Sequence, residues 1–248
     1  MPTTIIGIDC AVRAKRTGLA LGVFKRRRVE VSEVRVGESH DSIVRVVANW
    51  IAETKNPLVA LDAPLGWPSE LARSLSSHQS GAPIDAQANR MFRRLTDRVT
   101  KSQTGKLPLD VGADRIARTA RAALVLLEDL RSRTGENIPL VWRPGRPRRA
   151  SAIEVYPAAT LKVLGITSSG YKRKGDMETR RRIIEPLREW IDLPDDERPL
   201  LVSSDALDAV VCVLAAADFI RGDVIEPTQM DVAKREGWIW VREPGRLL

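Results

Sequence analysis

Histidine and cysteine are almost missing from this chain: His40, His78, Cys10 and Cys212 are all that its 248 residues carry. Two thiols in apolar surroundings make neither a disulfide framework nor a zinc site, and two histidines nearly exclude a histidine-rich zinc centre. Long apolar runs are lacking too. None approaches the ~20 residues that span a bilayer, so no membrane association is expected. No basic stretch, apolar core and cleavage site precede the first strand-like run, so no secretory signal is read and a cytoplasmic location is expected. What is abundant is arginine. The formal net charge is +8, with 43% apolar residues. That apolar share belongs to a globular chain, and the length allows one large domain or two small ones. The positive balance suits a polyanionic partner, and equally suits plain solubility.

Residues 4–10 (TIIGIDC) form a short β-branched run that ends in one acid. Such a run reads as a buried strand, with Asp9 at its carboxyl tip. Residues 17–24 read as a second strand, residues 25–28 as its turn, and the alternating residues 29–36 as a third, half-exposed strand. Three strands joined by short turns make a meander. Asp41 is the expected N-cap of a helix through about Thr54, with Ile43, Val46, Val47, Trp50 and Ile51 on its buried stripe. Residues 58–62 (LVALD) then read as a fourth strand ending in Asp62. A right-handed crossover places it parallel to a strand of the meander. If that neighbour is the first strand, Asp9 and Asp62 stand side by side. Residues 63–68 are loop, and residues 69–105 mix short helical patterns with polar residues. A long helix is expected over about 114–132. Residues 144–147 form a basic loop, and residues 151–156 a fifth strand carrying Glu154. Pro157 opens a short helix through Leu164. An amphipathic helix spans 177–191, with Arg180, Arg181 and Arg182 as its basic residues, and 192–199 is loop. Ser203 or Ser204 caps a helix to about Ile220. Residues 237–241 read as an edge strand or a packed tail. The expected organisation is one domain over 1–248, with a helical insertion at about 69–135.

The acids carry the chemistry. Asp9 and Asp62 end two buried strands, and Asp205 and Asp208, at i and i+3, project from one helical face. Hydrolysis of a phosphodiester by two magnesium ions needs several carboxylates around the metals. Hard oxygen ligands select Mg²⁺ or Mn²⁺. Asp9 is placed to bridge both ions, Asp62 to complete one shell, and Asp208 and Asp205 to serve the other. Glu154 is a fifth member if its strand tip points the same way. Each acid also has a structural role open to it. Asp9 and Asp62 suit strand-end turns, Asp205 and Asp208 suit the positive end of a helix, and Glu154 suits an ion pair with an arginine.

The chain resembles the predicted ribonuclease H-fold nucleases grouped as domain family 429. The resemblance lies in Gly7-Ile8-Asp9, Leu61-Asp62-Ala63-Pro64 and Thr104-Gly105-Lys106-x-Pro108-Leu109-x-Val111-x-Ala113-Asp114-Arg115-Ile116. It continues in Glu154-Val155-Tyr156-Pro157-Ala158-Ala159, Gly170-Tyr171-Lys172 and Asp205-Ala206-Leu207-Asp208-Ala209. It implies an α/β fold: a ribonuclease H-like mixed sheet, with an antiparallel three-stranded meander plus parallel strands, flanked by helices. A strand-one acid, a strand-four acid and paired acids on a late helix are also similar to the pattern of RuvC-type resolvases. The activity implied is a metal-dependent nuclease acting on DNA or RNA.

Cations are the remaining candidates. Arg93, Arg94, Asp97, Arg98, Lys106, Asp114 and Arg115 flank the irregular region. Lys106 and Arg115 are read as phosphate-holding groups, against the alternative of a solvated helix face with local ion pairs. Arg143 opens a basic stretch through Arg149 suited to a nucleic-acid backbone, or to a solvated loop. Lys172 and its basic neighbours add to the phosphate-binding set. Two rival functions keep their place. One is ATP-dependent phosphoryl transfer of the actin-like type, which the lack of glycine between Asp9 and Gly18 disfavours. The other is nucleic-acid binding without catalysis.

Overall fold

The computed structural model describes residues 2–112 and 114–246. Ala113 of the long family motif, and Met1, Leu247 and Leu248 of the expected 1–248 domain, lie outside the described residues. The β-branched and apolar runs do form strands. β1 (Thr3–Asp9), β2 (Gly18–Lys25) and β3 (Arg28–Val36) make an antiparallel meander. A helix, α1 (His40–Ala52), crosses over to β4 (Leu58–Asp62), which pairs with β1 in parallel. β5 (Ser151–Glu154) adds in parallel beyond β4, giving the order β3-β2-β1-β4-β5. This is a ribonuclease H-like mixed sheet. Four helices, α2 (Ser69–Leu75), α3 (Ala88–Met91), α4 (Leu95–Thr104) and α5 (Asp114–Thr134), lie between β4 and β5. After β5 come α6 (Pro157–Val163), α7 (Met177–Leu187), α8 (Arg198–Val202), α9 (Ser204–Arg221) and α10 (Met230–Glu236).

Local chemistry explains where the boundaries differ from expectation. Ser39, not Asp41, caps α1: its hydroxyl accepts the Ser42 N–H at 3.1 Å, and Ser42 Oγ accepts the Ser39 N–H at 3.0 Å. Such a reciprocal box satisfies two orphan donors at once. Ser203, extended and with its hydroxyl accepting the Ala206 N–H at 3.2 Å, is the cap of α9. Part of the 192–199 loop is helical, because Pro199 suits the first turn of α8. Residues 237–241 form a packed tail whose Trp240 N–H donates to the Glu154 carbonyl at 2.9 Å.

The pleat sorts the core into two faces. Ile5, Leu58, Ala60 and Ile153 pack against α9 and its neighbours on one face. Ile6, Ile8, Val59, Leu61 and Ala152 pack against α1 and α5 on the other. α9 is buried along its whole length from Ser204 to Ile220, which is why it is apolar almost all round. It lies directly on the sheet because glycine leaves room: a Cβ at Gly7 would stand 2.1 Å from the Ala209 carbonyl oxygen. Gly7→Ala therefore has to push α9 off β1, and is expected to lower stability by about 1–3 kcal/mol. A chemical-denaturation midpoint equal to that of the unaltered protein would show that the contact is loose. Among the described residues, no helix is long and apolar enough to cross a membrane.

Candidate metal centre

β1 and β4 run in parallel, so their carboxyl ends lie together and Asp9 is the register partner of Asp62. Each acid lies an even number of residues from Ile5 or Leu58, which face α9. The two-residue period of a strand therefore aims both carboxylates at that helix. α9 brings Asp208 to meet them from its first turns. One carboxylate oxygen from each of Asp9, Asp62 and Asp208 lies within 4.8 Å of the others. Asp208 is fully buried at 0% exposure.

Such crowding perturbs the acids. Burial, then the negative charges of Asp208 and Asp62, holds the Asp9 carboxyl well above the usual carboxylate range. Burial also raises Asp62, to about 7, with Lys172 opposing and the charges of Asp208 and Glu154 adding. These are carboxylates short of positive charge. One cation of the chain already answers: the Lys172 ammonium is ion-paired with Asp208 Oδ2, while Tyr171 Oη donates to Asp208 Oδ1 at 2.8 Å. Desolvation works to lower the Lys172 pKa, but the charges of Asp208, Asp9 and Asp62 overcome it and raise it. An all-oxygen set with raised pKa values and a lysine drawn in as partial counter-charge fits a hard divalent cation.

Arg180 positions that lysine. Counted from sequence among the basic residues of the amphipathic helix, it is buried at 1% exposure. Its guanidinium donates to the carbonyls of Tyr171 at 2.6 Å, Arg173 at 2.9 Å and Leu201 at 2.6 Å. A planar fork with several fixed donors suits a turn of converging carbonyls.

The other predicted acids stand apart. Asp205 lies outside the cluster: its Oδ2 is 3.1 Å from Arg16 Nε and its Oδ1 accepts from Ser204 Oγ at 3.2 Å. Burial raises its pKa, with Arg16 opposing. The expectation that Glu154 points with Asp9 and Asp62 is corrected. Glu154 pairs with Leu61, not Asp62, and one step in register sends a side chain to the opposite face. There it joins a buried network. Arg94 Nη2 donates to Glu154 Oε1 at 2.7 Å and to Asp97 Oδ1 at 2.9 Å. Arg94 Nη1 donates to Glu154 Oε2 at 2.8 Å, and that oxygen also accepts the Leu65 N–H at 3.0 Å. Arg94 and Asp97, at 1% and 0% exposure, are thus no solvated helix face. Glu154 borders the same cavity as Asp9 and Asp62, but its oxygens are taken up by Arg94 and by the loop that follows Asp62.

The predicted phosphate-binding residues divide. Lys106 and Lys172 line, with Asp9 and Asp62, a cavity of about 520 Å³ whose other wall is Leu107, Pro108, Leu109 and Ile116. Lys106 Nζ donates to the Ser168 carbonyl at 2.8 Å. Arg115 does not line the cavity; it is exposed, 3.7 Å from Asp114. Arg143 lies at the opposite pole. Its loop leads into the amino end of β5, and Arg146 Nη1 donates to Thr3 Oγ1, at the start of β1, at 2.7 Å. A loop entering a parallel strand stands at the far end from the strand tips, so the chain direction already held that signal. Arg94, Asp97, Tyr171 and Arg180 are the functional neighbours that pattern reading missed as such. Arginine in a polar stretch carries no mark of burial.

The raised pKa values of these acids set a pH dependence. In the folded chain Asp62 keeps its proton to about pH 7, against an ordinary value of 3.8. Between those values the folded state binds more protons than the unfolded chain. Stability therefore falls as pH rises through that window and levels off above it. Asp9 acts in the same direction. In chelator, the share of thermal stability set by these acids is expected to drop between about pH 4 and pH 7, and Mn²⁺ to remove most of that drop. The measurement is the difference between the two melting profiles. Parallel profiles would show that the acids take up no cation.

Comparison with known proteins adds the following. A solved structure of T. thermophilus RuvC in complex with Holliday junction substrate is similar at 13% identity, with a TM-score of 0.37, over 89% of this chain and 96% of that one. No curated protein matches the chain. The model of the family described as "Protein of unknown function (DUF429)" matches residues 7–232. That span takes in Asp9, Asp62, Tyr171, Lys172 and Asp208, and the chain belongs to this family.

Proposed function

We propose that the protein is a divalent-cation-dependent nuclease that hydrolyses phosphodiester bonds at Asp9, Asp62 and Asp208. The convergence of those acids from β1, β4 and α9 is the observation that carries this reading. Asp9, Asp62 and Asp208 would hold Mg²⁺ or Mn²⁺. When bound, such an ion supplies Lewis-acid stabilisation of phosphoryl charge and lowers the pKa of water. The chain's own groups do the rest. Lys106 and Lys172 line the same cavity as Asp9 and Asp62, where each can orient a phosphate oxygen. Lys172 has a long stem and a half-exposed side chain, so its ammonium can leave Asp208 for a phosphate. Leu107, Pro108, Leu109 and Ile116 give the cavity an apolar wall, and charge interactions beside apolar surface are stronger than in open water. Asp205 would complete a second cation's ligands only on leaving Arg16, so the two-cation form depends on that ion pair opening.

The net charge of +8 supports a nucleic acid as substrate. The test is direct. The purified chain is expected to cleave an end-labelled oligonucleotide with Mg²⁺ or Mn²⁺, and to stop when EDTA is added. Salt-sensitive binding without turnover under any of these conditions would leave a binding protein in place of a nuclease.

A further inference from the structure

Next to the acid cavity lies a second hollow of about 360 Å³, and Cys10 forms a wall of both. The second hollow is bounded by the β1–β2 connection through Ala11, Val12 and Ala14, and by α5 through Arg118 and Arg121. α5 also lines the acid cavity through Ile116 and Thr119, so one helix forms a wall of both spaces. The cations around the second hollow are notable for their partners. Arg16 is matched by Asp205 and Arg115 by Asp114. Arg118 and Arg121, which line the hollow, are both exposed, and neither has an ion-pair partner among the described residues. Unneutralised arginines lining a hollow that shares the Cys10 wall with the acid cavity are what a polyanion's path requires.

We propose that one strand of the nucleic acid runs from the acid cavity past Cys10 into this second hollow. Arg118 and Arg121, the two arginines that line the hollow, hold its phosphates from α5. Val12, Ile43 and Leu126 supply apolar surface for sugar and base between them. The path rests on the nuclease reading for the identity of the polyanion. It also replaces the Arg143–Arg149 stretch, at the far pole of the sheet, as the principal electrostatic contact.

Fluorescence anisotropy with a single-stranded oligonucleotide of about 12 nucleotides, in EDTA so that no cleavage occurs, tests it. The Arg118→Gln/Arg121→Gln chain is expected to bind about tenfold more weakly, and its log Kd against log salt to flatten by about 1.4, from 0.7 per phosphate on a single strand. Arg118→Lys/Arg121→Lys should keep most of the slope, since charge is retained. Arg148→Gln/Arg149→Gln should bind as the unaltered chain does. Unchanged affinity in the first variant, or an equal loss in the far-pole variant, would overturn the path. Mn²⁺-dependent cleavage of bis(p-nitrophenyl) phosphate by the unaltered chain reads the acid site separately, because so small an ester cannot reach the second hollow. Its absence would sink the nuclease reading while the binding result still decides the path.

Discussion

Asp9→Asn, Asp62→Asn and Asp208→Asn are each expected to lower Mn²⁺-dependent cleavage by a factor of about 10³ or more. Each removes one of the anions that meet within 4.8 Å. Loss of a cation's share of transition-state stabilisation, several kcal/mol, corresponds to that factor. Unfolding does not explain the expected loss. Asparagine keeps the shape and discards a charge that burial and neighbouring carboxylates disfavour at Asp9 and Asp62. Those two variants should therefore melt in chelator at or above the temperature of the unaltered chain near neutral pH. The stabilisation that Mn²⁺ gives should shrink in both. Asp208→Asn differs, because Lys172 and Tyr171 lose a charged acceptor. Its melting temperature should change little, since Lys172 is half-exposed and solvent weakens such a pair. Activity and Mn²⁺ affinity measured side by side decide the matter. Full turnover in any one variant removes that residue from the ligand set.

Arg94→Ala is expected to cost about 3–5 kcal/mol of folding stability, the range for breaking a buried ion pair on one side. Arg94 faces two buried carboxylates, Glu154 and Asp97, and its side chain is 1% exposed. Without it, both acids would remain in a medium that penalises charge. Burial already raises the Glu154 pKa, with Arg94 as the main opposing influence. Arg94→Lys should recover only part of the loss, because one ammonium cannot reproduce bonds to two carboxylates. Arg94→Met combined with Glu154→Gln and Asp97→Asn should recover more, since no buried charge is then left unmatched. Denaturant titrations of the three variants give the comparison. A cost under about 1 kcal/mol for Arg94→Ala would mean that water reaches the network. Catalysis would suffer as a consequence, because Glu154 accepts from the Leu65 N–H and so steadies the loop directly after Asp62.

These two sites illustrate different kinds of legibility. The acid triad could be read from the chain because each member ends or begins an element with a strong local signature. Residues 4–9 and 58–62 are β-branched or apolar runs with an acid at the tip, and Asp208 opens an unusually apolar helix. A right-handed crossover through α1 then leaves little choice but adjacent, parallel strands. The Arg94 network had no such signature. Arg93, Arg94, Asp97 and Arg98 have the spacing of an exposed, ion-paired helix face. Their burial depends on α10 and the packed tail, far away in sequence. Glu236 accepts the Leu95 N–H at 2.8 Å and the Ser69 N–H at 2.8 Å, covering the amino ends of α4 and α2.

By itself the amino-acid sequence determined the strands, the crossover and the meeting of Asp9 with Asp62, because period, branching and turn chemistry act over a few residues. Only the tertiary structure decided which face Glu154 takes, which arginines are enclosed and which acid is left to Arg16. Those outcomes turn on a single step of register between β4 and β5, and on contacts between segments more than a hundred residues apart. Neither leaves a local trace in the chain, since a one-residue shift reverses a side chain's direction without altering any residue around it.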